Sequence, residues 1–95
     1  MKLSVLIPIF NERQWIEELV GKVLKQKIAG IEQVEIIIVD DGSTDGTREI
    51  VRTLAVKYPG KVQAVFHEKN LGKGSALKTA IARMSGDICI IQDAD

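Results

Sequence analysis

Four short apolar runs alternate along the chain with three amphipathic segments, and this alternation constrains the fold class. The runs cover residues 3–10, 34–39, 62–66 and 88–91, and they are rich in β-branched residues without helical spacing. Strands that are apolar throughout are typical of parallel sheets covered on both faces. The segments between them supply the crossover helices that parallel strands need. The order βαβαβαβ therefore predicts an α/β fold.

The three amphipathic segments carry apolar residues at helical spacing. The first begins near Trp15, which lies on its apolar stripe, so we expect the indole in the core with Asn11 as N-cap. The second helix is expected to be capped by Ser43 or Thr44, and the third to cover residues 74–84. Each segment is long enough for about three to four turns.

Right-handed crossovers restrict how these elements assemble. They predict a Rossmann-like parallel sheet in the order 3-2-1-4, with the first two helices on one face and the third on the other. Ligands of such sheets bind at the carboxyl ends of the strands. Polar clusters follow each strand, at residues 11–12, 40–45, 67–73 and 93–95. One edge of the sheet is therefore the candidate site.

Length and composition argue against several classes of protein. The 95 residues suit one small domain, residues 1–95, with a thin core. Lys plus Arg and Asp plus Glu both number 13, and aromatic residues make up 4%, so we expect no nucleic-acid partner. No run approaches the length of a membrane span, which favours a cytoplasmic protein. The single cysteine, Cys89, lies in an apolar run and is expected to be a buried, inert thiol in a reducing compartment.

Two carboxylates close the fourth apolar run. Asp93 and Asp95 are two residues apart, and side chains at i and i+2 of a strand point the same way. The pair can therefore share one divalent cation, which would in turn hold a phosphate. His67 has no second metal ligand near it in the sequence and is interpreted as a strand-end or loop residue.

Other nucleotide sites fit the sequence less well. A dinucleotide-binding fold would need Gly-x-Gly-x-x-Gly after the first strand, where residues 8–12 read PIFNE. Residues 70–75 are glycine-rich but lack the glycine spacing of a P-loop. A phosphoryl-transfer domain would carry Asp-x-Asp after its first strand, whereas here the motif closes the fourth.

Four motifs, in this order, resemble those of family 2 inverting glycosyltransferases, which have the GT-A fold. They are SVLIPIFNE (4–12), IVDDGSTDGT (38–47), NLGKGSAL (70–77) and GDICIIQDAD (86–95). The last two are most similar to polyprenyl-phosphate and dolichyl-phosphate sugar transferases. The resemblance covers the whole chain, but only the N-terminal, nucleotide-sugar-binding half of the family's catalytic domain.

The resemblance implies which residues hold the nucleoside. Pro8, Phe10 and Glu12 match positions that hold the base and ribose, and a glutamate can accept hydrogen bonds from ribose hydroxyls. Asp41, or its neighbour Asp40, matches the carboxylate that accepts from a base N–H. A purely structural interpretation stays open, in which Pro8 ends a strand and the acidic residues sit at helix N-termini.

The resemblance also implies how the diphosphate is held. Lys73 lies between two glycines, where its charge can reach the phosphates, although a solvated loop lysine is an equally simple interpretation. Asp93 and Asp95 match the family's Asp-x-Asp, which holds Mg²⁺ or Mn²⁺ on the diphosphate. Asp93 is also expected to contact the donor.

The implied function is transfer of a hexose from a UDP- or GDP-sugar to a polyprenyl phosphate, by a parent protein at the cytoplasmic face of a membrane. In the family the general base follows the Asp-x-Asp, so we expect no turnover by this chain alone. The alternative is an isolated, self-associating α/β fragment without catalysis. In either case the open edge or face of the fourth strand favours a homodimer.

Overall fold

The computed structural model describes residues 1–93 and contains, within that range, four strands and three helices in the predicted alternation. The strands are β1 (Lys2–Ile9), β2 (Gln33–Asp40), β3 (Val62–Phe66) and β4 (Ile88–Ile91). The helices are α1 (Ile16–Lys25), α2 (Thr47–Lys57) and α3 (Lys73–Arg83). The strands and α3 agree with the predicted ranges to within one residue. None of the helices in residues 1–93 is long and apolar enough to cross a membrane.

The four strands form one parallel sheet in the order β3-β2-β1-β4, which confirms the predicted topology. β1 pairs with β2 along its whole length, from Lys2 opposite Gln33 to Ile9 opposite Asp40. Phe66, the last residue of β3, is also level with Asp40. The carboxyl ends of three strands therefore meet at one edge, and the segments that follow them are neighbours.

Side chains of the two central strands alternate between two apolar layers. One layer joins β1 and β2 to α1 and α2, and its helical members are Ile16, Val20, Val51 and Leu54. The other joins Leu6, Ile37 and Val39 to Ala76 and Ala80 of α3. The first two helices thus cover one face and the third covers the other, as predicted.

Trp15 is not a core residue, and that prediction was wrong. Its side chain is 52% exposed, because α1 begins one residue later and buries Ile16 and Val20 instead. The predicted N-cap, Asn11, is also wrong, since four residues separate it from the helix. Asn11 has a left-handed backbone, with φ of 52°, and belongs to the loop between β1 and α1.

Cys89 is exposed, so the expectation of a buried thiol was wrong as well. The reason is the position of β4 at the outer edge of the sheet. α3 packs on β1 and β2, and α2 packs on β2 and β3, so the helices leave both faces of β4 open. All four residues of β4 are exposed.

A polar cluster joins the start of β4 to the rest of the sheet. Ser4 Oγ donates to Glu35 Oε2 over 2.5 Å and accepts from the Gly86 N–H over 2.9 Å. The Ser85 N–H also donates to Glu35 Oε2, over 2.6 Å. A Cβ at Gly86 would lie 2.4 Å from Ser4 Oγ and 2.9 Å from the Lys2 carbonyl oxygen. Only glycine therefore fits this corner without displacing its neighbours.

Gly86→Ala should lower the free energy of unfolding by about 1–3 kcal/mol, because the added methyl overpacks the corner against Ser4. Gly21→Ala is the matched control: Gly21 lies inside α1, and apart from its chain neighbours and the backbone of its own helix no described atom comes within 4 Å of its Cβ position. That change should raise stability by roughly 0.5–1 kcal/mol, since alanine is the better helix former. Urea denaturation measures both, and similar values for the two variants would contradict the crowding at Gly86.

Glu35 should make stability depend on pH. Burial acts to raise the pKa of Glu35, but hydrogen bonds from Ser4 and Ser85 outweigh it and hold the pKa below its ordinary value of 4.5. A lowered folded-state pKa gives stability that is present above the unfolded-state pKa and is lost as pH falls through the folded-state value.

At pH 7, Glu35→Gln should lower the free energy of unfolding by about 1–3 kcal/mol, since the Ser4 hydroxyl and the N–H and hydroxyl of Ser85 lose a charged acceptor. The difference from the native chain should shrink as the pH falls below about 4.5, because the carboxyl is protonated first in the unfolded state and then, at its lower pKa, in the folded state. Glu17→Gln, on the exposed side of α1, should change stability by less than about 0.5 kcal/mol at either pH. A difference between Glu35→Gln and the native chain that does not vary with pH would contradict the assignment.

The open edge of β4 should cause self-association, which analytical ultracentrifugation can follow over concentration. Ile90, which is 47% exposed, lies in this strand. Ile90→Lys should weaken any such association, because an edge charge blocks strand pairing and face burial. Val56→Lys, at a site on α2 that is 79% exposed, should leave association unchanged. A native chain that stays monomeric at high concentration would refute the prediction.

Candidate functional site

A cleft of about 220 Å³ opens where the carboxyl ends of the strands meet. Its walls come from the end of β1 and the loop after it, the residue after β2, the loop before α3, the start of α3 and the segment after β4. The lining residues are Pro8, Ile9, Phe10, Glu12, Asp41, Asn70, Gly72, Lys73, Ala76 and Asp93. Six of the seven residues predicted to bind the nucleotide line this cleft, and Asp40 does not.

Asn11 makes two hydrogen bonds between the loop after β1 and the loop after β2. The Asn11 N–H donates to Ser43 Oγ over 2.8 Å, and Asn11 Oδ1 accepts from the Thr44 N–H over 2.8 Å. Neither Ser43 nor Thr44 caps α2, contrary to prediction, because that helix begins only at Thr47. The residues predicted as helix caps instead hold Phe10 and its loop against the neighbouring loop.

Asp40 is the last residue of β2, and its side chain is fully buried. Oδ1 accepts from the Ser43 N–H over 2.7 Å, while Oδ2 has no hydrogen-bond partner among the described residues. Alternation along β2 directs Asp40 and Asp41 to opposite faces of the sheet, and the cleft lies on the Asp41 side. A role for Asp40 in nucleotide binding stays a prediction. In the structure it supports the turn after β2.

Asp41 is 3% exposed and binds three donors. Oδ1 accepts from the Leu71 N–H over 2.9 Å and from His67 Nδ1 over 2.8 Å, and Oδ2 accepts from the Gly72 N–H over 2.9 Å. Burial acts to raise the pKa of Asp41, but the hydrogen bonds from Leu71, His67 and Gly72 outweigh it and lower the pKa below its ordinary value. The group is thus an ionised acceptor at neutral pH.

His67 directly follows β3, as predicted, but its partners were missed. Its ring bridges Asp41 and Thr79 of α3, with Nε2 lying 2.9 Å from Thr79 Oγ1. The predicted sheet order could have indicated the contact with Asp41, because β3 pairs with β2 and the residues that follow the two strands are therefore adjacent. The His67 N–H donates to the Asp40 carbonyl oxygen over 2.9 Å, which continues this pairing beyond the strands.

Gly42 allows the loops after β2 and β3 to touch. Its φ is +82°, and a Cβ there would lie 2.6 Å from the Asn70 nitrogen and 2.6 Å from the Lys69 carbonyl carbon. Only glycine tolerates both the left-handed backbone and this approach. The contact holds Asn70 at the wall of the cleft.

Lys73 and Asp93 meet at the mouth of the cleft. Lys73 Nζ lies 2.5 Å from Asp93 Oδ1, and both side chains are more than half exposed. Lys73 is the first residue of α3, and Asp93 follows β4. The ion pair therefore connects two segments that are far apart in the sequence.

The predicted metal pair is described only in part, because Asp95 lies outside the described residues. Within residues 1–93 no group of three or more His, Cys, Asp or Glu side chains is placed to hold a metal ion. Mg²⁺ in nucleotide sites is usually held by one or two carboxylates together with substrate phosphates and water. The half-exposed carboxylate of Asp93 beside the cleft fits that donor set.

Comparison with known proteins places this cleft in a family context. The family model "Glycosyl transferase family 2" matches residues 4–95. Dolichol-phosphate mannosyltransferase of Pyrococcus furiosus is 40% identical over 95 residues, which are 100% of this chain and 26% of that protein. The chain thus spans about a quarter of the length of this relative.

Two solved structures share the fold. The mannosyltransferase PcManGT from Pyrobaculum calidifontis, in complex with GDP-Man and Mn²⁺, has a TM-score of 0.86 and 35% identity, over 98% of this chain and 27% of that one. S. aureus TarS 1-349 in complex with UDP-GlcNAc has a TM-score of 0.83 and 32% identity, over 100% of this chain and 27% of that one. The fold is the one these GT-A glycosyltransferases share, and the chain belongs to glycosyl transferase family 2.

Proposed function

We propose that residues 1–95 are the nucleotide-sugar-binding part of a metal-dependent inverting glycosyltransferase that transfers a hexose from a UDP- or GDP-sugar. The observation that carries this proposal is the convergence of six predicted nucleotide-binding residues, from separate segments, on one cleft. The donors bound to the related P. calidifontis and S. aureus proteins, GDP-Man and UDP-GlcNAc, support both nucleotide choices.

The nucleoside end of the donor fits the inner wall of the cleft. Asp41 is an ionised acceptor, and among residues 1–93 its Oδ2 binds a single donor, the Gly72 N–H, so this oxygen has capacity for another. Uracil and guanine both present an imino N–H that suits such an acceptor. Pro8 and Phe10 supply an apolar wall for the base, and Glu12 accepts hydrogen bonds from the ribose hydroxyls.

The diphosphate end of the donor fits the mouth of the cleft. Asp93, with Asp95 as the second proposed ligand, holds Mg²⁺ or Mn²⁺, and the Mn²⁺ in the P. calidifontis complex supports a divalent ion. When bound, the ion offsets the negative charge that develops on the departing diphosphate. Lys73 adds positive charge at the N-terminus of α3, an end of a helix that favours anions.

We further propose a polyprenyl phosphate acceptor for the parent protein, at the cytoplasmic face of a membrane. The name of the P. furiosus relative, a dolichol-phosphate mannosyltransferase, supports this acceptor class. By the family resemblance, the general base that activates the acceptor follows the Asp-x-Asp. Residues 1–95 should therefore bind the donor without transferring its sugar.

A self-associating fragment without catalysis is the second candidate, and the exposed residues of β4 favour it. The two candidates differ in one measurement. The first predicts nucleotide binding in the cleft, whereas the second predicts association through β4 with no affinity for nucleoside diphosphates.

Calorimetric titration of UDP and GDP, in Mn²⁺, in Mg²⁺ and in chelator, should detect weak binding of at least one of them that depends on the divalent ion. Asp93→Asn should weaken binding in Mn²⁺ about tenfold or more, since a charge-assisted contact contributes about 1.5–3 kcal/mol. The same variant should lose most of the dependence on metal.

Glu17→Gln, which removes an exposed charge of the same sign on α1, is the control and should bind like the native chain. Equal affinity in chelator and in Mn²⁺ would refute the metal role. Sugar transfer by this chain alone would show that the general base lies within residues 1–95.

A further inference from the structure

The imidazole of His67 joins three parts of the fold beside the cleft. It follows β3, its Nδ1 lies 2.8 Å from Asp41 Oδ1, and its Nε2 lies 2.9 Å from Thr79 Oγ1 on α3. The His67 side chain is only 11% exposed, and the Asp41 side chain 5%. His67 does not itself line the cleft, so the proposed donor contacts leave its role unassigned.

The hydrogen-bond partners fix the orientation of the ring. The ionised Asp41 carboxylate only accepts, so Nδ1 carries a hydrogen and donates a hydrogen bond to Oδ1. On the other side, Thr79 Oγ1 lies 2.9 Å from Nε2, and its single hydrogen can be donated to Nε2 or to the Ser75 carbonyl oxygen 3.1 Å away. The ring is thus held between the carboxylate and the first turns of α3.

The same carboxylate holds the loop that forms one wall of the cleft. Oδ1 is shared by His67 and the Leu71 N–H, and Oδ2 binds the Gly72 N–H, directly before α3. Without the ring, Oδ1 would lose one of its two donors, and the carboxylate could rotate about its χ2 angle. Rotation would move both the acceptor proposed for the base and the anchors of residues 71 and 72.

We propose that His67 is a positioning residue for the donor nucleotide, which fixes Asp41 and the loop before α3 in the binding geometry before the donor arrives. The inference rests on the proposed function, because Asp41 contacts the donor only if the cleft binds one. A site held in its bound geometry loses less conformational freedom on binding, and its affinity is correspondingly higher.

Two amide substitutions at His67 distinguish the hydrogen bond made by Nδ1 from the contact made by Nε2. In His67→Asn the amide nitrogen can take the place of Nδ1 and still donate to Asp41. In His67→Gln the amide can take the place of Nε2, which keeps a partner for Thr79 but leaves Asp41 without this donor. With Mn²⁺ and whichever of UDP and GDP binds the native chain better, His67→Asn should bind within about threefold of native affinity, and His67→Gln about tenfold more weakly.

A second matched pair of variants tests whether Thr79 of α3 helps to hold the His67 ring. Thr79→Val removes the hydroxyl beside Nε2 and should weaken binding by about threefold, because the ring loses one of its two anchors. Thr53→Val removes a hydroxyl that likewise lies within hydrogen-bond distance of the carbonyl four residues earlier, that of Glu49, but α2 covers the opposite face of the sheet from α3. It should bind the nucleotide like the native chain.

Amide resonances report the position of the loop independently of any ligand. The Leu71 and Gly72 amide protons, which donate to Asp41, should keep their chemical shifts in His67→Asn and move in His67→Gln. Thermal unfolding shows which variants are folded, and comparisons are made only among those.

Equal losses of affinity in the Asn and Gln variants, or unchanged Leu71 and Gly72 resonances in the Gln variant, would overturn the proposal. If the native chain binds neither UDP nor GDP, the proposed function fails. The resonances still decide whether His67 positions Asp41 and the loop.

Discussion

The parallel pairing of β1 with β2 is the constraint on which the rest of the structure depends. It continues beyond the strands, since the Asp41 N–H donates to the Ile9 carbonyl oxygen over 2.8 Å. Because both strands end at the same level, the loop after each begins beside the other. The hydrogen bonds of Asn11 to the neighbouring loop and the location of Asp41 at the cleft both follow from this register. A shift of one residue would turn Asp41 to the opposite face of the sheet.

Sequence patterns predicted the strands, the sheet order and the distribution of helices because these depend on properties that repeat along the chain. Apolar strands and amphipathic helices have distinct periods, and right-handed crossovers leave few ways to connect them. The predictions that failed concern side chains whose burial depends on which other elements pack against them. Trp15 fits the apolar stripe but precedes the helix, and Cys89 fits an apolar strand that no helix covers. Neither fact is encoded in the local pattern.

For the candidate site as well, the sequence predicted some features and not others. Family motifs predicted Pro8, Phe10, Glu12, Asp41, Lys73 and Asp93, and the fold places these six at one cleft. What the motifs could not predict is how the polar groups are paired. Asp41 receives its donors from residues 26 to 31 positions away, so the pairing becomes visible only once β3 lies beside β2. The ion pair of Lys73 with Asp93 likewise depends on the order of β1 and β4.

The contact made by Gly42 has a consequence for how loop length can vary in this fold. Three loops meet here: Asn11 binds the loop after β2, and Gly42 of that loop lies against Asn70 of the loop after β3. Insertions are tolerated where a loop's backbone is exposed and has few partners, whereas each of these loops is in register with the next. Adding one residue to any of them would misalign the other two. We therefore expect natural variation around the cleft to come from side-chain replacement, with the lengths of these three loops held constant.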